Sequence, residues 1–329
     1  MTMPDTVNKP LIAAMIGDPA GIGPEVCVKA LACGELDALC DGLLIGETAA
    51  VRRAVQVCGV AREVRRVDTP EAARGQAFIG VLDPGDLAPA DYTVGKPSAA
   101  AGRAVVNWMS LGQQLGQRGQ IDGLVLAPVD SASLKLGGLV QDIDELQPPD
   151  THMLRLNGGL RVVPISEHIR LRDVAATVKQ ATVLELIRRL DSQLKRWGMA
   201  APRIAVAGLN PHAMFEEERD EIAPAIAQAR ADGIDASGPV SPDAVFRLAL
   251  EGRHDAVVTM YHDQGQIAVK TAAFAGACTI YMGLPYVMLN VPHGSAFDIA
   301  GRGTAQHDSL LAGLRTAAML ARGTAFLKQ

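Results

Sequence analysis

The sequence predicts an α/β fold in which helices cover a largely parallel sheet. Short apolar runs rich in β-branched residues alternate with amphipathic segments along nearly the whole chain, which is typical of strands alternating with helices. Aromatic residues make up only 4% of the chain, so Ala, Val, Leu and Gly must form the core, as in layered α/β proteins. A length of 329 residues is enough for two ordinary domains.

The predicted elements follow one another with few interruptions. Each strand is expected where a short apolar run lies between turn residues, and each helix where apolar residues recur every three or four positions. We predict strands over 11–16, 42–45, 78–82, 121–127, 159–165, 203–207, 255–260, 277–281 and 286–290, and helices over 26–31, 49–57, 98–117, 183–197, 216–232, 244–250 and 309–322. The acidic stretch 131–152 is predicted to be irregular.

The first strand leads into a glycine-rich block, Gly17–Glu25, which precedes a helix. Strand, glycine-rich turn and helix is the general arrangement of a phosphate cradle. The glycine spacing is neither that of a Rossmann motif nor that of a P-loop, so this indication is weak. A plain connection between strand and helix is the alternative.

Charge and composition exclude several classes of protein. The net charge is −5 with both signs interspersed and no basic stripe, which argues against nucleic acid as a partner. No apolar run approaches the roughly 18 residues of a membrane-spanning helix, and the polar first ten residues lack a signal-peptide pattern. Five scattered cysteines are expected to be reduced packing residues. We therefore expect a cytoplasmic protein.

The stretch 260–270 is the strongest candidate for chemistry. It offers an imidazole (His262), a carboxylate (Asp263), an amide (Gln264) and an ammonium (Lys270) directly after a predicted buried strand, with Gly265 allowing a tight turn or a close approach to a ligand. Ligands of open α/β sheets bind at the carboxyl ends of strands. The alternative is a solvated polar loop.

Polar residues recur at other predicted strand ends. The carboxyl edge of one sheet would gather them, whereas chance would scatter them. Two histidines and several carboxylates suit a divalent metal such as Zn, Mn, Co or Ni. The residues concerned are Asp18, Asp130, His212, Asp243 and His262.

Five blocks of the sequence resemble signature blocks of the 4-hydroxythreonine-4-phosphate dehydrogenase family. They occur in the family's order and span nearly the whole chain: Gly17–Glu25, Gly208–Ala213, Gly238–Asp243, Tyr261–Lys270 and Gly283–Pro285. The resemblance implies an isocitrate/isopropylmalate dehydrogenase-like fold of two α/β/α domains with a cleft between them. We expect an NAD-side domain from 1–126 plus 275–329, and a metal, substrate and dimerisation domain over 127–274.

The resemblance also implies an activity, namely oxidation of a β-hydroxy acid by NAD with loss of CO₂. A divalent metal (Zn, Mn, Co, Ni or Mg) would polarise the substrate oxygen, and a homodimer would share the active site. The implied activity is like that of an enzyme of pyridoxal phosphate biosynthesis. The implied metal ligands are His212 and His262. The implied catalytic residues are Asp243, Lys270 and Asp263. The implied cofactor residues are His293, Gly294, Asp298 and Asn210, and a carboxylate at 298 favours NAD over NADP.

Departures from the family pattern concern the substrate and the metal. Asp130 stands where the family has a histidine, and the family's His-Thr-Glu block, which would supply the third metal histidine, is missing. Either Asp144 takes its place as an oxygen ligand, or the site holds metal weakly or not at all. Thr279 and Met288 stand where the family has Asn and Arg, which removes a charge-assisted contact worth about 1.5–3 kcal/mol to a phosphate. The expected substrate-binding residues are Asp18, Asp130, Lys270, Thr279 and Met288.

Three functions are therefore compatible with the sequence. The first is a dehydrogenase of 4-phosphohydroxy-L-threonine or a close four-carbon phosphate. The second is a relative that oxidises an unphosphorylated hydroxy acid, such as the cis-dihydrodiol of terephthalate. The third is a non-catalytic paralogue that binds NAD or a metabolite, and the presence of Asp243, His262 and Lys270 argues against it.

Overall fold

A computed structural model describes residues 9–141, 143–157, 159–272, 278–291 and 294–326, without the side chains of residues 143 and 144. The strands are β1 (Leu11–Met15), β2 (Asp41–Ile45), β3 (Val64–Val67), β4 (Ile79–Leu82), β5 (Gly123–Leu126), β6 (His152–Asn157), β7 (Leu160–Ser166), β8 (Ile204–Ala207), β9 (Ala236–Val240), β10 (Ala256–Tyr261), β11 (Cys278–Met282) and β12 (Val287–Asn290). The helices are α1 (Gly23–Ala32), α2 (Thr48–Cys58), α3 (Ala99–Gln117), α4 (Ser131–Gly137), α5 (Val174–Thr177), α6 (Gln180–Arg196), α7 (Ala223–Ala231), α8 (Pro242–Leu250), α9 (His262–Ala272) and α10 (Asp308–Ala321).

The chain divides into two compact units, and the first is discontinuous. It comprises Met1–Pro149 and Leu284–Arg322. Its described strands lie in the order β3-β4-β2-β1-β5-β12, and every neighbouring pair is parallel. Strand β1 is buried at all five positions, because helices cover both faces of a parallel sheet. The order reverses between β1 and β5, and such a reversal is the usual ligand position in this kind of sheet.

The second unit comprises Asp150–Gly283 and Gly323–Gln329. Its described strands lie in the order β11-β6-β7-β10-β8-β9. The pairs from β7 to β9 are parallel, whereas β6 is antiparallel to both of its neighbours. Val162, Val257 and Val269 belong to the apolar core between this sheet and helices α8 and α9. The carboxyl ends of β7, β10, β8 and β9 therefore lie side by side at one edge.

The unit boundaries fall at Asp150 and Leu284, whereas the sequence analysis placed domain boundaries after 126 and 274. The difference has a packing cause. Asp130 caps α4 by accepting a hydrogen bond from the Ser133 amide (2.7 Å), and α4 lies against α3 so closely that a Cβ on Gly102 would lie 1.9 Å from the Ser133 carbonyl oxygen. The segment after β5 thus packs on a helix of the first unit.

Several local expectations were wrong or incomplete. The stretch 131–152, predicted to be irregular, contains α4. The polar stretch after β10 is helical (α9), so Gly265 lies inside a helix rather than in a turn. Strands β3, β6 and β9 were not predicted. In the described part of the chain, no helix is long and apolar enough to cross a membrane.

Candidate active site

His262 is the first residue of α9 and directly follows β10. Its Nδ1 atom lies 2.7 Å from Oδ1 of the neighbouring Asp263. The imidazole is 24% exposed, and the Asp263 carboxylate is 73% exposed. A carboxylate on one ring nitrogen fixes the orientation of the ring and leaves the other nitrogen for a ligand. Asp263, predicted to be catalytic, is thus placed to orient His262.

A second imidazole, that of His168, lies beside His262. The two ring centroids are 5.0 Å apart, and the ring planes are inclined at 52°. His168 follows β7, which is the parallel neighbour of β10, and the Ser166 hydroxyl donates to the Met260 carbonyl (3.0 Å) where the two strands end. The sequence analysis did not propose this residue, although it has the signal used for the others, a polar group directly after a buried strand.

The segment that carries His168 is held by a largely buried ion pair. Arg155 of β6 donates from Nη1 (3.1 Å) and Nη2 (2.7 Å) to the two carboxylate oxygens of Glu167, the residue before His168. The Arg155 side chain is 6% exposed and that of Glu167 is 23% exposed. Such a bidentate pair restrains the backbone next to the imidazole. In the antiparallel register Arg155 also lies directly opposite Thr279, a predicted substrate residue.

His212 follows β8 and has a left-handed backbone conformation (φ +58°), as does Ala213 (φ +54°). The carboxylate of Glu218 holds this strained turn, because it accepts hydrogen bonds from the amides of Leu209 (2.7 Å), Asn210 (2.8 Å) and Phe215 (3.0 Å). Burial opposes the charge on Glu218, but these hydrogen bonds outweigh it and lower the pKa of the carboxyl. Non-glycine residues with positive φ cluster at functional sites, so the strain is consistent with a role for His212.

Asp243 lies in the first turn of α8, after β9. The Ser241 hydroxyl donates to its Oδ1 atom (2.6 Å), and this hydrogen bond is the main reason why the pKa of Asp243 is lowered. The turn that carries His212 packs against α8, the helix of Asp243, and the nearby imidazole contributes further to the lowered pKa of Asp243. Asp243 is therefore a carboxylate held in its ionised form, as a proton acceptor or a metal ligand must be.

Gln264 has a structural role at this edge. Its Oε1 atom accepts from the Met260 amide (2.7 Å), and its Nε2 atom donates to the Gly208 carbonyl (2.8 Å). One side chain thus joins the ends of β10 and β8, which precede His262 and His212. Asn210, predicted to bind the cofactor, donates from its side chain to Glu217 (2.9 Å) and Glu218 (3.1 Å). That side chain stabilises the turn that carries His212.

The edge of the second unit therefore collects His168, His262, His212 and Asp243 from the ends of four neighbouring parallel strands. Imidazole nitrogen and carboxylate oxygen are ligands that suit Zn²⁺, Co²⁺, Ni²⁺ and Mn²⁺. Within the described residues, no three His, Cys, Asp or Glu side chains are close enough together to enclose a metal by themselves. These nitrogen and oxygen atoms are of the kinds that bind divalent metals, but within one chain they would leave part of the metal's coordination shell unfilled. The side chain of Asp144, the ligand proposed from sequence, lies outside the described residues, as does His293.

The other predicted site residues differ in exposure. Lys270 is exposed in the last turn of α9. Asp298 and Gly294 are exposed in the first unit, which suits the predicted contacts with the cofactor. Asp18 and Met288 are fully buried there, so neither has surface available for a substrate in this conformation. Their roles, and the half-exposed position of Asp130, stay predictions.

Comparison with known proteins identifies the family. Residues 38–317 match the family described as "Pyridoxal phosphate biosynthetic protein PdxA". The chain belongs to the PdxA family. It is 42% identical over 97% of both chains to a protein of Novosphingobium aromaticivorans named "Putative 4-hydroxythreonine-4-phosphate dehydrogenase". It is 38% identical over 95% of its length and 97% of the relative to a "Putative D-threonate 4-phosphate dehydrogenase" of Symbiobacterium thermophilum.

Solved structures give the same result. A 4-hydroxythreonine-4-phosphate dehydrogenase of Klebsiella pneumoniae superposes with a TM-score of 0.82 at 35% identity, covering 96% of this chain and 99% of that one. A terephthalate 1,2-cis-dihydrodiol dehydrogenase of Burkholderia xenovorans superposes with a TM-score of 0.73 at 29% identity, covering 94% and 98%. The predicted α/β fold and family are confirmed, and the chain is a PdxA-type dehydrogenase that acts on a CH–OH group.

Proposed function

We propose that this PdxA-type dehydrogenase is NAD-dependent and metal-assisted, and that it oxidises a β-hydroxy acid which then loses CO₂. The observation that carries the proposal is the set of three imidazoles, His168, His212 and His262, at the ends of neighbouring parallel strands beside an ionised Asp243. No three of the described side chains could hold an ion by themselves, so the metal would take ligands from this edge and from a second copy of the chain, and the ion would supply Lewis-acid polarisation of the substrate oxygen. His168 thus takes the place that the sequence analysis gave to Asp144.

The roles of the other residues follow from their protonation and exposure. Asp243 is ionised, so it can accept the proton of the substrate hydroxyl, and bound NAD⁺ would supply the acceptor for the hydride of the carbinol carbon. The C–C bond to the carboxylate would then break, CO₂ would leave, and the bonding electron pair would form an enolate with the new carbonyl group. A proton from solvent would complete the product, either at the carbon that lost CO₂ or at the enolate oxygen. The exposed Lys270 ammonium is placed to bind an anionic group of the substrate. Asp298 would accept hydrogen bonds from the adenine ribose.

The substrate has two candidates. The names of the relatives favour a four-carbon phosphate such as 4-phosphohydroxy-L-threonine or D-threonate 4-phosphate. The side chain of Met288 favours an unphosphorylated hydroxy acid, because it is fully buried, contacts the Tyr286 hydroxyl through its sulfur (3.7 Å) and carries no charge for a phosphate. The related terephthalate dihydrodiol dehydrogenase makes a cis-dihydrodiol carboxylate the natural member of this second class.

We also propose a homodimer that completes the site. Exposed apolar side chains follow two of the histidines closely: Ile169 (43% exposed) and Leu171 (72%) after His168, and Met214 (72%) after His212. Exposed apolar side chains beside polar catalytic groups mark an interaction surface. A second copy on this surface could close the open metal shell. Replacing Leu171 and Met214 together with Asp is expected to give a monomer by light scattering and to abolish turnover.

The deciding experiment combines metal binding with turnover. The protein is freed of metal by a chelator, Zn²⁺ or Co²⁺ binding is measured by calorimetry, and NAD reduction is followed with phosphorylated and unphosphorylated hydroxy acids and cis-dihydrodiols. His168→Ala, His212→Ala and His262→Ala are each expected to weaken metal binding at least about 10-fold and to abolish turnover. His254→Ala, at the opposite end of β10, is the matched control and should change neither.

Each outcome separates the candidates. Turnover of a phosphate ester with normal metal dependence would support the first substrate class, and turnover of unphosphorylated acids alone would support the second. NAD binding without turnover of any substrate would support the non-catalytic alternative. Metal binding that is unchanged in all three histidine variants would overturn the proposed metal site.

A further inference from the structure

The glycine-rich block Gly17–Glu25 takes no part in the site described above, and its backbone is already occupied. The Asp18 amide donates to the Pro128 carbonyl (2.9 Å), the Gly21 amide to the Asp18 carbonyl (3.0 Å) and the Ile22 amide to the Ser295 carbonyl (2.9 Å). The Ala20 amide donates to Oδ1 of Asp18 (2.9 Å). Amides that are bound within the protein are not free for a phosphate, so a phosphate cradle is the wrong interpretation of these four positions.

The last residue of this block binds a different segment of the chain. Glu25, on α1, is 3% exposed, and its two carboxylate oxygens accept from the amides of Gly301 (2.6 Å) and Gly303 (2.8 Å). One turn further along the same helix, the Lys29 ammonium donates to the carbonyls of Gly303 (2.6 Å) and Ala305 (2.7 Å). Residues four apart lie on one face of a helix, so the Glu25 carboxylate binds amides of the loop while the Lys29 ammonium binds its carbonyls.

The segment held in this way is the 294–305 loop, which carries Asp298. Its first part is also fixed, because the Ser295 hydroxyl donates to Oδ2 of Asp130 (3.2 Å) and the Ser295 carbonyl accepts from Ile22. Its second part approaches α2 so closely that a Cβ on Gly303 (φ +69°) would lie 2.2 Å from the Val57 carbonyl oxygen. Both ends are anchored, and the exposed Asp298 lies between them.

We propose that Glu25 and Lys29 are positioning residues for the dinucleotide, which set the affinity for its adenosine half by holding the 294–305 loop in its binding conformation. The inference rests on the proposed function in one respect, the assignment of Asp298 to the adenine ribose. When the loop is already ordered in the free protein, ligand binding does not have to offset the conformational entropy lost in ordering it. When only a fraction of the molecules has the binding conformation, the apparent association constant is the intrinsic constant multiplied by that fraction.

The test measures binding of the adenosine half and of the nicotinamide half of the dinucleotide separately. Glu25→Gln keeps the shape of the side chain but turns an NH₂ group toward one of the two loop amides. We expect about 10-fold weaker binding of NAD and of ADP-ribose by calorimetry, a fold-change that corresponds to about 1.4 kcal/mol. Binding of nicotinamide mononucleotide and kcat at saturating NAD should stay within about two-fold of the wild type. Lys29→Met should act in the same direction, and Lys29→Arg should restore binding, because a guanidinium can also donate to two carbonyls.

A matched control distinguishes positioning from general stability. Asp122 also accepts a backbone amide through its carboxylate, that of Leu11 (2.7 Å), at the amino-terminal edge of the same sheet. Asp122→Asn should lower the melting temperature without changing ADP-ribose affinity. Equal ADP-ribose affinity in wild type, Glu25→Gln and Lys29→Met would overturn the inference, as would a parallel loss of mononucleotide binding. A wild-type protein that binds neither NAD nor ADP-ribose would overturn the proposed NAD dependence itself, and this inference with it.

Discussion

Gly265→Ala is expected to destabilise the second unit and weaken metal binding. A Cβ at this position would lie 2.7 Å from Cγ1 of Val162 and 3.0 Å from Oγ1 of Thr259, both in fully buried residues. Ordinary van der Waals contact begins at 3.4 Å, so α9 must move away from the sheet by about 0.7 Å or distort its neighbours. His262 begins the same helix, and a site that is displaced by more than about 0.5 Å loses its geometry.

The magnitude follows from two opposing effects. Overpacking a core costs about 1–3 kcal/mol, whereas replacing a helical glycine by alanine gains up to about 1 kcal/mol. Because both clashing side chains are fully buried, we expect the upper part of the overpacking range, about 2–3 kcal/mol. The net loss is then about 1–2 kcal/mol, which corresponds to a fall in melting temperature of about 2–8 °C. Calorimetric Zn²⁺ titration should show affinity at least about 10-fold lower, as expected for a disturbed metal site.

Gln266→Ala is the matched control for this experiment, because it changes the adjacent position of α9 without adding an atom. It should leave both the melting temperature and Zn²⁺ affinity near those of the wild type. The packing argument is refuted if Gly265→Ala is as stable as this control. If Gly265→Ala is less stable but binds Zn²⁺ normally, the proposed link between α9 packing and His262 is refuted instead.

Three further predictions concern other parts of the chain. Burial raises the pKa of Asp18, against the lowering effect of its hydrogen bond with Ser133. The protonated carboxyl therefore stabilises the fold below the unfolded-state pKa, and this stabilisation is lost as pH rises through the native pKa. Asp18→Asn should be more stable than the wild type at pH 8 in urea unfolding, and a stability difference that does not shrink toward pH 4 contradicts this prediction. Ser241→Ala removes the hydrogen bond that lowers the pKa of Asp243, so the acidic limb of the kcat/KM profile should move to higher pH, and an unmoved limb would exclude Asp243 as the titrating base. Gly102→Ala places a Cβ 1.9 Å from the Ser133 carbonyl oxygen and should lower the free energy of unfolding by about 2 kcal/mol or more; a stability equal to the wild type would show that α3 and α4 are not in contact.

The sequence was most informative where buried strands end in polar residues. His212 and His262 were predicted from that pattern, and the structure places them after β8 and β10, which are neighbours in one sheet. Asp243 was proposed together with them, although the strand before it, β9, was not predicted and is only partly buried. His168 has the same pattern after β7. It was not predicted because the resemblance implied a third metal ligand near residue 144 instead. The same criterion, a polar residue directly after a predicted buried strand, also identifies His168.

The strands that were not predicted have identifiable causes. Strand β3 lies at a sheet edge and has charged residues at its centre, Arg65 and Arg66, so it lacks an apolar run. Strand β9 contains Pro239, which is tolerated because β9 is also an edge strand. Strand β6 carries the buried Arg155, whose charge is acceptable only because Glu167 balances it. That compensation comes from another strand end, and no local pattern reveals it.

The same ion pair bears on which substrate the enzyme accepts. Thr279 lacks the charge needed to bind a phosphate, and the residue opposite it, Arg155, has that charge on a buried guanidinium. Both terminal nitrogens of Arg155 already bind Glu167, so a phosphate at this position would have to compete with a carboxylate of the protein. Breaking a buried pair of this kind costs about 3–5 kcal/mol, which exceeds the about 1.5–3 kcal/mol that one charge-assisted hydrogen bond returns. Arg155 therefore does not substitute for a missing phosphate-binding arginine while it is paired with Glu167, which agrees with the second proposed substrate class, the unphosphorylated hydroxy acids.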